Sequence, residues 1–145
     1  MNDPRERIPA TDEYLRELGR ATYNFAYLEW GIVWLTESLE KGFLSKASKL
    51  TAGQIADGFI QASNRTDDDV PDKLDLVTLS KNFKELVEDR NRLMHGNPYT
   101  AEGGEQRLLY AGKHGRKEWT IDRMAEFSDG VSLASVEVSR LLHGG

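Results

Sequence analysis

The chain has 145 residues, the usual size of a single domain, and 39% of them are hydrophobic. It contains no cysteine, which excludes disulfides, thiolate nucleophiles and cysteine-based zinc sites. No segment approaches the roughly 20 apolar residues of a membrane span, and residues 1–7 lack the apolar stretch of a secretory signal. We therefore expect one cytoplasmic domain over residues 1–145, with residues 1–11 as a flexible N-terminus and no membrane partner.

The formal net charge is −5, which by itself argues against a nucleic-acid partner. Most of this charge lies in residues 51–72, where one arginine stands against five aspartates, a net of −4. The remaining residues sum to only −1. A nucleic-acid surface is therefore neither indicated nor excluded.

Apolar spacing predicts a long first helix from Asp12 to about Lys41, followed by Gly42, a common helix stop. One stripe repeats at intervals of three and four residues: Tyr14, Leu18, Ala21, Phe25, Leu28, Ile32, Leu35 and Leu39. A second stripe, on roughly the opposite side of the helix, consists of Tyr23, Tyr27, Trp30 and Trp34. A helix that is apolar on two sides is either central in a bundle or lies between the core and a partner.

Two further helices are predicted in the middle of the chain. Thr51 and Gln54 have the spacing of a capping box, and they precede the apolar face of a short helix, formed by Ile55, Ala56, Phe59 and Ile60. After an acidic loop, Asp72 is expected to cap a longer helix that ends at Gly96-Asn97-Pro98. The inner stripe of this helix is Leu76, Leu79, Phe83, Leu86, Arg90 and Leu93.

The last third of the chain mixes strand and helix patterns. Residues 99–105 are predicted to be a loop, and residues 107–112 and 116–121 to be two strands of a β-hairpin. A final helix from about Asp122 to Leu142 has an apolar face formed by Met124, Phe127, Val131, Ala134, Val138 and Leu141. The sequence thus predicts an all-α fold, a four- or five-helix bundle with a small β-hairpin before the C-terminal helix.

Arg90 is the charged residue whose position is hardest to explain as ordinary surface. Its neighbours three and four residues away are all apolar, namely Leu86, Val87, Leu93 and Met94. Burying a guanidinium without a partner is costly, so we expect a carboxylate, a helix-end carbonyl or a phosphate beside it. Arg92, with Glu88, Asp89 and His95 as neighbours, is interpreted as an ordinary surface residue.

His95 lies one turn after Asn91, in the final turn before Gly96. Histidine is the side chain best suited to proton transfer near neutral pH, and the Asn91 amide is in a position to orient it. Five residues of ideal helix separate Arg90 and His95 by about 140°. Arg90 and His95 share one site only if the end of the helix is distorted, if the arginine side chain reaches around the helix, or if a second subunit completes the site.

The segment Arg90-Asn91-x-x-x-His95, late in a long helix, resembles the Arg-polar-(x)n-His motif of the HEPN superfamily. The resemblance implies a metal-independent endoribonuclease without a cofactor, which leaves a 2′,3′-cyclic phosphate end. Arg90 would stabilise the phosphate, and His95 would transfer protons as the ribose 2′-hydroxyl attacks. Asn91 would orient His95. Members of the family often act as toxins with a cognate antitoxin or in phage defence. They are commonly homodimers in which both motifs face one cleft.

Three interpretations of the function stay open. The chain is a HEPN-like ribonuclease, a catalytically silent HEPN-like dimer that binds RNA, nucleotide or a partner protein, or a structural scaffold in which Arg90 forms an ion pair and His95 only ends a helix. The basic hairpin tip, with Lys113, Arg116 and Lys117, either contacts RNA phosphates or is simply solvated. The three histidines lack the spacing of metal ligands, so no metal site is predicted.

Overall fold

The computed structural model describes residue 5 and residues 7–143. Residues 1–4 and 6, which belong to the N-terminus predicted to be flexible, lie outside the described residues, as do residues 144–145. The described part contains, in order, α1 (Asp12–Leu39), α2 (Phe43–Ala47), α3 (Ala52–Arg65), α4 (Lys73–Met94), β1 (Asn97–Thr100), β2 (Gln106–Gly112), β3 (Gly115–Trp119) and α5 (Ile121–Leu142). The helical fold with a small β element before the last helix is confirmed. None of these helices is long and apolar enough to cross a membrane.

Helix α1 is the central element, packed against α3 and most extensively against α5. It begins where the Thr11 hydroxyl accepts a hydrogen bond from the Tyr14 N–H (3.2 Å). It ends at Leu39, slightly before the predicted end, and Gly42 adopts a φ of 101°, a left-handed conformation that favours glycine. The first stripe is buried or half-buried throughout, whereas all four aromatic residues of the second stripe are exposed.

Helices α2 and α3 pack against α1, and α4 packs mainly against α3 and α5. The capping box of α3 is confirmed, since the side chains of Thr51 and Gln54 each accept a hydrogen bond from the other residue's N–H. The five-residue helix α2 was not predicted. Asp72 is the N-cap residue of α4, as predicted, but its side chain makes no capping hydrogen bond and its carboxylate lies 3.9 Å from Arg140 instead.

The sheet has the strand order β1-β2-β3, with both pairs antiparallel. The predicted hairpin is confirmed as β2 and β3, although β3 ends at Trp119, two residues before the predicted end, and Ile121 belongs to α5. The prediction of a loop over residues 99–105 is wrong for Tyr99 and Thr100, which belong to β1, an edge strand paired to β2. Residue 98 of this strand is a proline, which is compatible with an edge position because it has no N–H to donate.

The core joins α1, α4 and α5 through stacked rings. Phe25 of α1 lies 6.0 Å from Phe83 of α4 and 6.2 Å from Phe127 of α5, measured between ring centroids. Trp119, the last residue of β3, is fully buried against Phe127. These rings hold the middle of α4 against the middle of α1, and Arg90, about two turns after Phe83, lies over the Phe25 ring.

Candidate functional site

Arg90 is half-buried near the end of α4 and faces α1. Its guanidinium carbon lies 5.5 Å from the centre of the Phe25 ring, within the range of a cation–π contact. Its Nη1 donates a hydrogen bond to Oδ1 of Asn91 (3.0 Å). No carboxylate of the described residues comes within 4.0 Å of this guanidinium. Arg90 is thus packed and oriented, but it has no described ion-pair partner.

A small cavity of about 80 Å³ lies in front of Arg90, between α1, α4 and α5. Its lining consists of Ala21, Thr22, Phe25, Ala26, Glu29, Arg90, Leu93, Met94 and Phe127. Glu29 is its acidic member. Burial raises the pKa of the Glu29 carboxyl, and the positive charge of Arg90 partly opposes this effect. The cavity therefore combines a cation, a partly desolvated carboxyl and apolar walls.

His95 ends α4 and is exposed. Its backbone N–H donates to the carbonyl oxygen of Asn91 (2.9 Å), the normal bond of a last helical turn. The helix is regular up to Met94, so no distortion turns His95 towards Arg90. His95 does not line the Arg90 cavity. The structure brings Arg90 and Asn91 together and leaves His95 apart from them within one chain.

The basic hairpin tip packs beside the same end of α4. Arg92 Nε donates to the carbonyl oxygen of His114 (3.1 Å), and Arg92 Nη1 lies 3.0 Å from Asp89. Arg92 is therefore half-buried and structural, which corrects its interpretation as an ordinary surface residue. Lys117 is also engaged. Its Nζ forms an ion pair with Asp89 (3.2 Å) and lies 4.2 Å from the centre of the Trp119 ring, a cation–π contact.

Lys113 and Arg116 differ from these two cations in that they are exposed at the turn of the hairpin. The predicted RNA-contacting set thus divides into two solvated side chains and one, Lys117, that is already engaged. Only Lys113 and Arg116 have room to contact a phosphate without breaking an existing interaction.

Two members of the site were not singled out from the sequence. Phe25 was assigned only to the core stripe, and Glu29 was not considered. A signal for Glu29 existed, because it is the only charged residue between Ala21 and Thr36. In the described part of the chain, no three His, Asp or Glu side chains cluster closely enough to hold a metal ion.

Chemically, the arrangement offers an oriented cation beside a small, mostly apolar cavity, with the imidazole of His95 on another side of the same helix end. A guanidinium of this kind suits a phosphate oxygen or another anion. A scan against protein-family models found no match for this chain. Searches among curated proteins and among solved structures found no match either.

Proposed function

We propose that this protein is a HEPN-like, metal-independent endoribonuclease that acts as a homodimer. The observation that carries the proposal is Arg90, a half-buried guanidinium oriented by Asn91 and Phe25 that has no carboxylate of the described residues within 4.0 Å. Such a cation can bind a phosphate without first breaking an ion pair. The Arg-Asn-x-x-x-His pattern of the sequence supports the same assignment.

In this mechanism Arg90 stabilises the charge that develops on the phosphate, and Asn91 holds the guanidinium in place. His95 transfers protons as the ribose 2′-hydroxyl attacks the adjacent phosphorus and the 5′-oxygen leaves. Because His95 lies outside the Arg90 cavity, a second subunit has to supply one of the two groups, which is why the proposal includes a dimer. Lys113 and Arg116 add phosphate contacts away from the reacting bond.

The proposal is tested by incubating the protein with single-stranded RNA in the presence of EDTA. We expect cleavage that leaves 2′,3′-cyclic phosphate ends, and a rate lowered by about 10²-fold or more in His95→Ala. Arg90→Met should lose cleavage but keep or raise the melting temperature, because it replaces a partly buried charge by an apolar side chain of similar length. Arg90→Lys should also lose most activity, since an ammonium cannot reproduce the guanidinium fork.

His143 provides a control for the stability of the histidine variant. It ends α5 with φ −103° and ψ 8°, nearly the backbone conformation of His95 at the end of α4. His143→Ala therefore measures the cost of losing a helix-end histidine, and His95→Ala should lower the melting temperature no more than that. Undiminished cleavage in His95→Ala, or cleavage that depends on added Mg²⁺, would contradict the proposed mechanism.

A second candidate is a catalytically silent HEPN-like dimer that binds RNA, nucleotide or a partner protein. It is favoured by the separation of His95 from the Arg90 cavity and by the net charge of −5. In that case RNA or nucleotide should bind in a manner that requires Arg90, with no cleavage product. If the protein is the ribonuclease of the first proposal, we further propose that it acts in the cytoplasm as a toxin with a cognate antitoxin, or in phage defence.

A further inference from the structure

The outer side of α1 carries four large aromatic side chains that the core does not cover. Tyr23, Tyr27, Trp30 and Trp34 are 71%, 66%, 56% and 43% exposed, and we call them the aromatic face. The rings of Trp30 and Trp34 contact each other edge to face, with centroids 6.0 Å apart. A contiguous exposed patch of this kind on a soluble domain marks an interaction site.

The size of the aromatic face can be compared with what a stable interface needs. With about 200 Å² taken as the surface of one such side chain, the four exposed fractions leave roughly 470 Å² open to solvent. A specific interface buries about 800 Å² on each partner. These four residues alone therefore supply more than half of one partner's share.

A groove lies beside the aromatic face, between α1 and α5. Its volume is about 190 Å³, and small residues, Gly31, Ser135 and Ser139, form part of its lining together with Tyr27 and Trp34. A protruding aromatic face next to a groove makes the surface self-complementary. Aromatic side chains of each copy can enter the groove of the other copy about a twofold axis.

The charges on α1 favour a protein partner over a nucleic acid. Between Ala21 and Thr36 the only charged residue is Glu29, which is half-buried and lines the Arg90 cavity. Single-stranded nucleic acids bind where aromatic platforms are combined with cations that follow the backbone. This part of α1 has no cation, so base stacking on these rings would lack its electrostatic component.

We propose that the aromatic face binds the aromatic face of a second copy of this chain, with the two α1 helices antiparallel. A twofold axis near the middle of the stripe places Tyr23 opposite the partner's Trp34 and Tyr27 opposite the partner's Trp30. Trp30 is the central side chain of this interface. The inference names the interface of the dimer and in that respect rests on the proposed function, although its test requires no RNA cleavage.

The proposed interface lies next to the Arg90 cavity. Thr22 and Ala26 line the Arg90 cavity and adjoin Tyr23 and Tyr27 in the sequence of α1. A second copy bound to the aromatic face therefore lies beside the mouth of the cavity. It is in a position to bring its own groups towards Arg90, which one chain alone does not do.

Light scattering at micromolar protein concentration tests the interface. We expect a mass near twice 16.4 kDa for the unmodified chain. Trp30→Glu should weaken the dimer by about 30-fold or more, as expected for a central aromatic side chain. Trp34→Glu, at the edge of the interface but in contact with Trp30, should weaken it less. Leu133→Glu is the matched control, since Leu133 is 72% exposed on α5 but does not line the aromatic groove. It should remain dimeric.

Because the chain contains no cysteine, single cysteines give a second and independent test. Residue 27 lies near the proposed axis but is offset along the helix from residue 27 of the partner, too far for a direct disulfide. Tyr27→Cys should therefore be linked to its copy by a bifunctional thiol cross-linker that spans about 10 Å, whereas Leu133→Cys should not. Circular dichroism should show native helix in every variant, because all the changed side chains are exposed.

Several outcomes would overturn the inference. A folded monomer at these concentrations would do so, and so would a dissociation constant that, measured over a dilution series, is unchanged in Trp30→Glu. Arg90→Met separates this inference from the proposed function, because it should stay dimeric while losing cleavage. If Tyr27→Cys is linked as a dimer and the unmodified chain shows no ribonuclease activity, the ribonuclease is refuted and the interface stands.

Discussion

Glu29 is the residue whose environment has the clearest consequence for pH dependence. Burial raises the pKa of its carboxyl above the ordinary value of 4.5, and Arg90 opposes this only in part. A carboxyl whose pKa is raised by folding stabilises the protein below the unfolded pKa and loses that contribution as pH rises through the folded pKa. Glu29→Gln should therefore raise the melting temperature at pH 7, and the difference should vanish below about pH 4.5.

Thermal unfolding measured from pH 4 to pH 8 checks this expectation. Glu85→Gln, a change at an exposed position of α4, is the control and should show little difference at any pH. If Glu29→Gln were less stable than the unmodified chain at pH 7, the attraction between Glu29 and Arg90 would outweigh the cost of burial.

The position of Arg90 could be predicted from sequence because local helical neighbours decide it. Four apolar residues three and four positions away implied burial, and Arg90 is half-buried. Its surroundings could not be predicted, since Phe25 and Glu29 lie on another helix and approach only through tertiary packing. For the same reason the sequence showed the angle between Arg90 and His95 but not whether the end of the helix would distort.

At the scale of elements, the long helices were predictable because a stripe of period 3.6 continues over many turns. The short helix α2 was missed because five residues are too few to show a period. Strand β1 was missed because it includes Pro98, which lowers strand propensity and is tolerated here only because β1 is an edge strand. The two apolar stripes of α1 were visible, but the sequence did not show which one would remain exposed.

The contact between α2 and α3 depends on a glycine. A Cβ placed on Gly58 of α3 would lie 2.6 Å from Cε1 of Phe43, a buried ring of α2. Gly58→Ala should therefore lower the free energy of unfolding by about 1–3 kcal/mol, as overpacking does, although alanine is the better helix former. Urea unfolding provides the measurement.

Gly53, in the first turn of the same helix, is the matched control. Its nearest neighbour for an added Cβ would be the Thr51 hydroxyl oxygen at 3.9 Å. Gly53→Ala should leave stability unchanged or raise it by up to about 1 kcal/mol through helix propensity. Equal effects of the two substitutions would mean that Phe43 moves aside without cost.

At the scale of the whole molecule, the sheet and the helices are held together by a few specific contacts. The Tyr14 hydroxyl of α1 accepts a hydrogen bond from the Leu108 N–H (2.9 Å) and donates one to the carbonyl oxygen of Trp119 (2.6 Å). It thereby joins α1 to both β2 and β3. Burial raises the pKa of the Tyr14 phenol, so the hydroxyl remains protonated and able to donate at neutral pH.

Tyr14→Phe should detach the sheet locally without unfolding the helices. It leaves the Leu108 N–H and the Trp119 carbonyl without their partner, which costs about 1–3 kcal/mol for a buried polar group. Urea unfolding should show that loss, and hydrogen exchange should become faster at the Leu108 amide while the amides of α1 change less.

Tyr110→Phe is the control. It removes only a 3.4 Å contact to the His114 N–H at the exposed hairpin tip, so its effect on the free energy of unfolding should stay within about 0.5 kcal/mol. If the two variants were equally stable, the Tyr14 hydroxyl would not hold the sheet. The contacts of α4 with the other end of the hairpin, from Asp89 to Lys117 and from Arg92 to the His114 carbonyl, would have to do so.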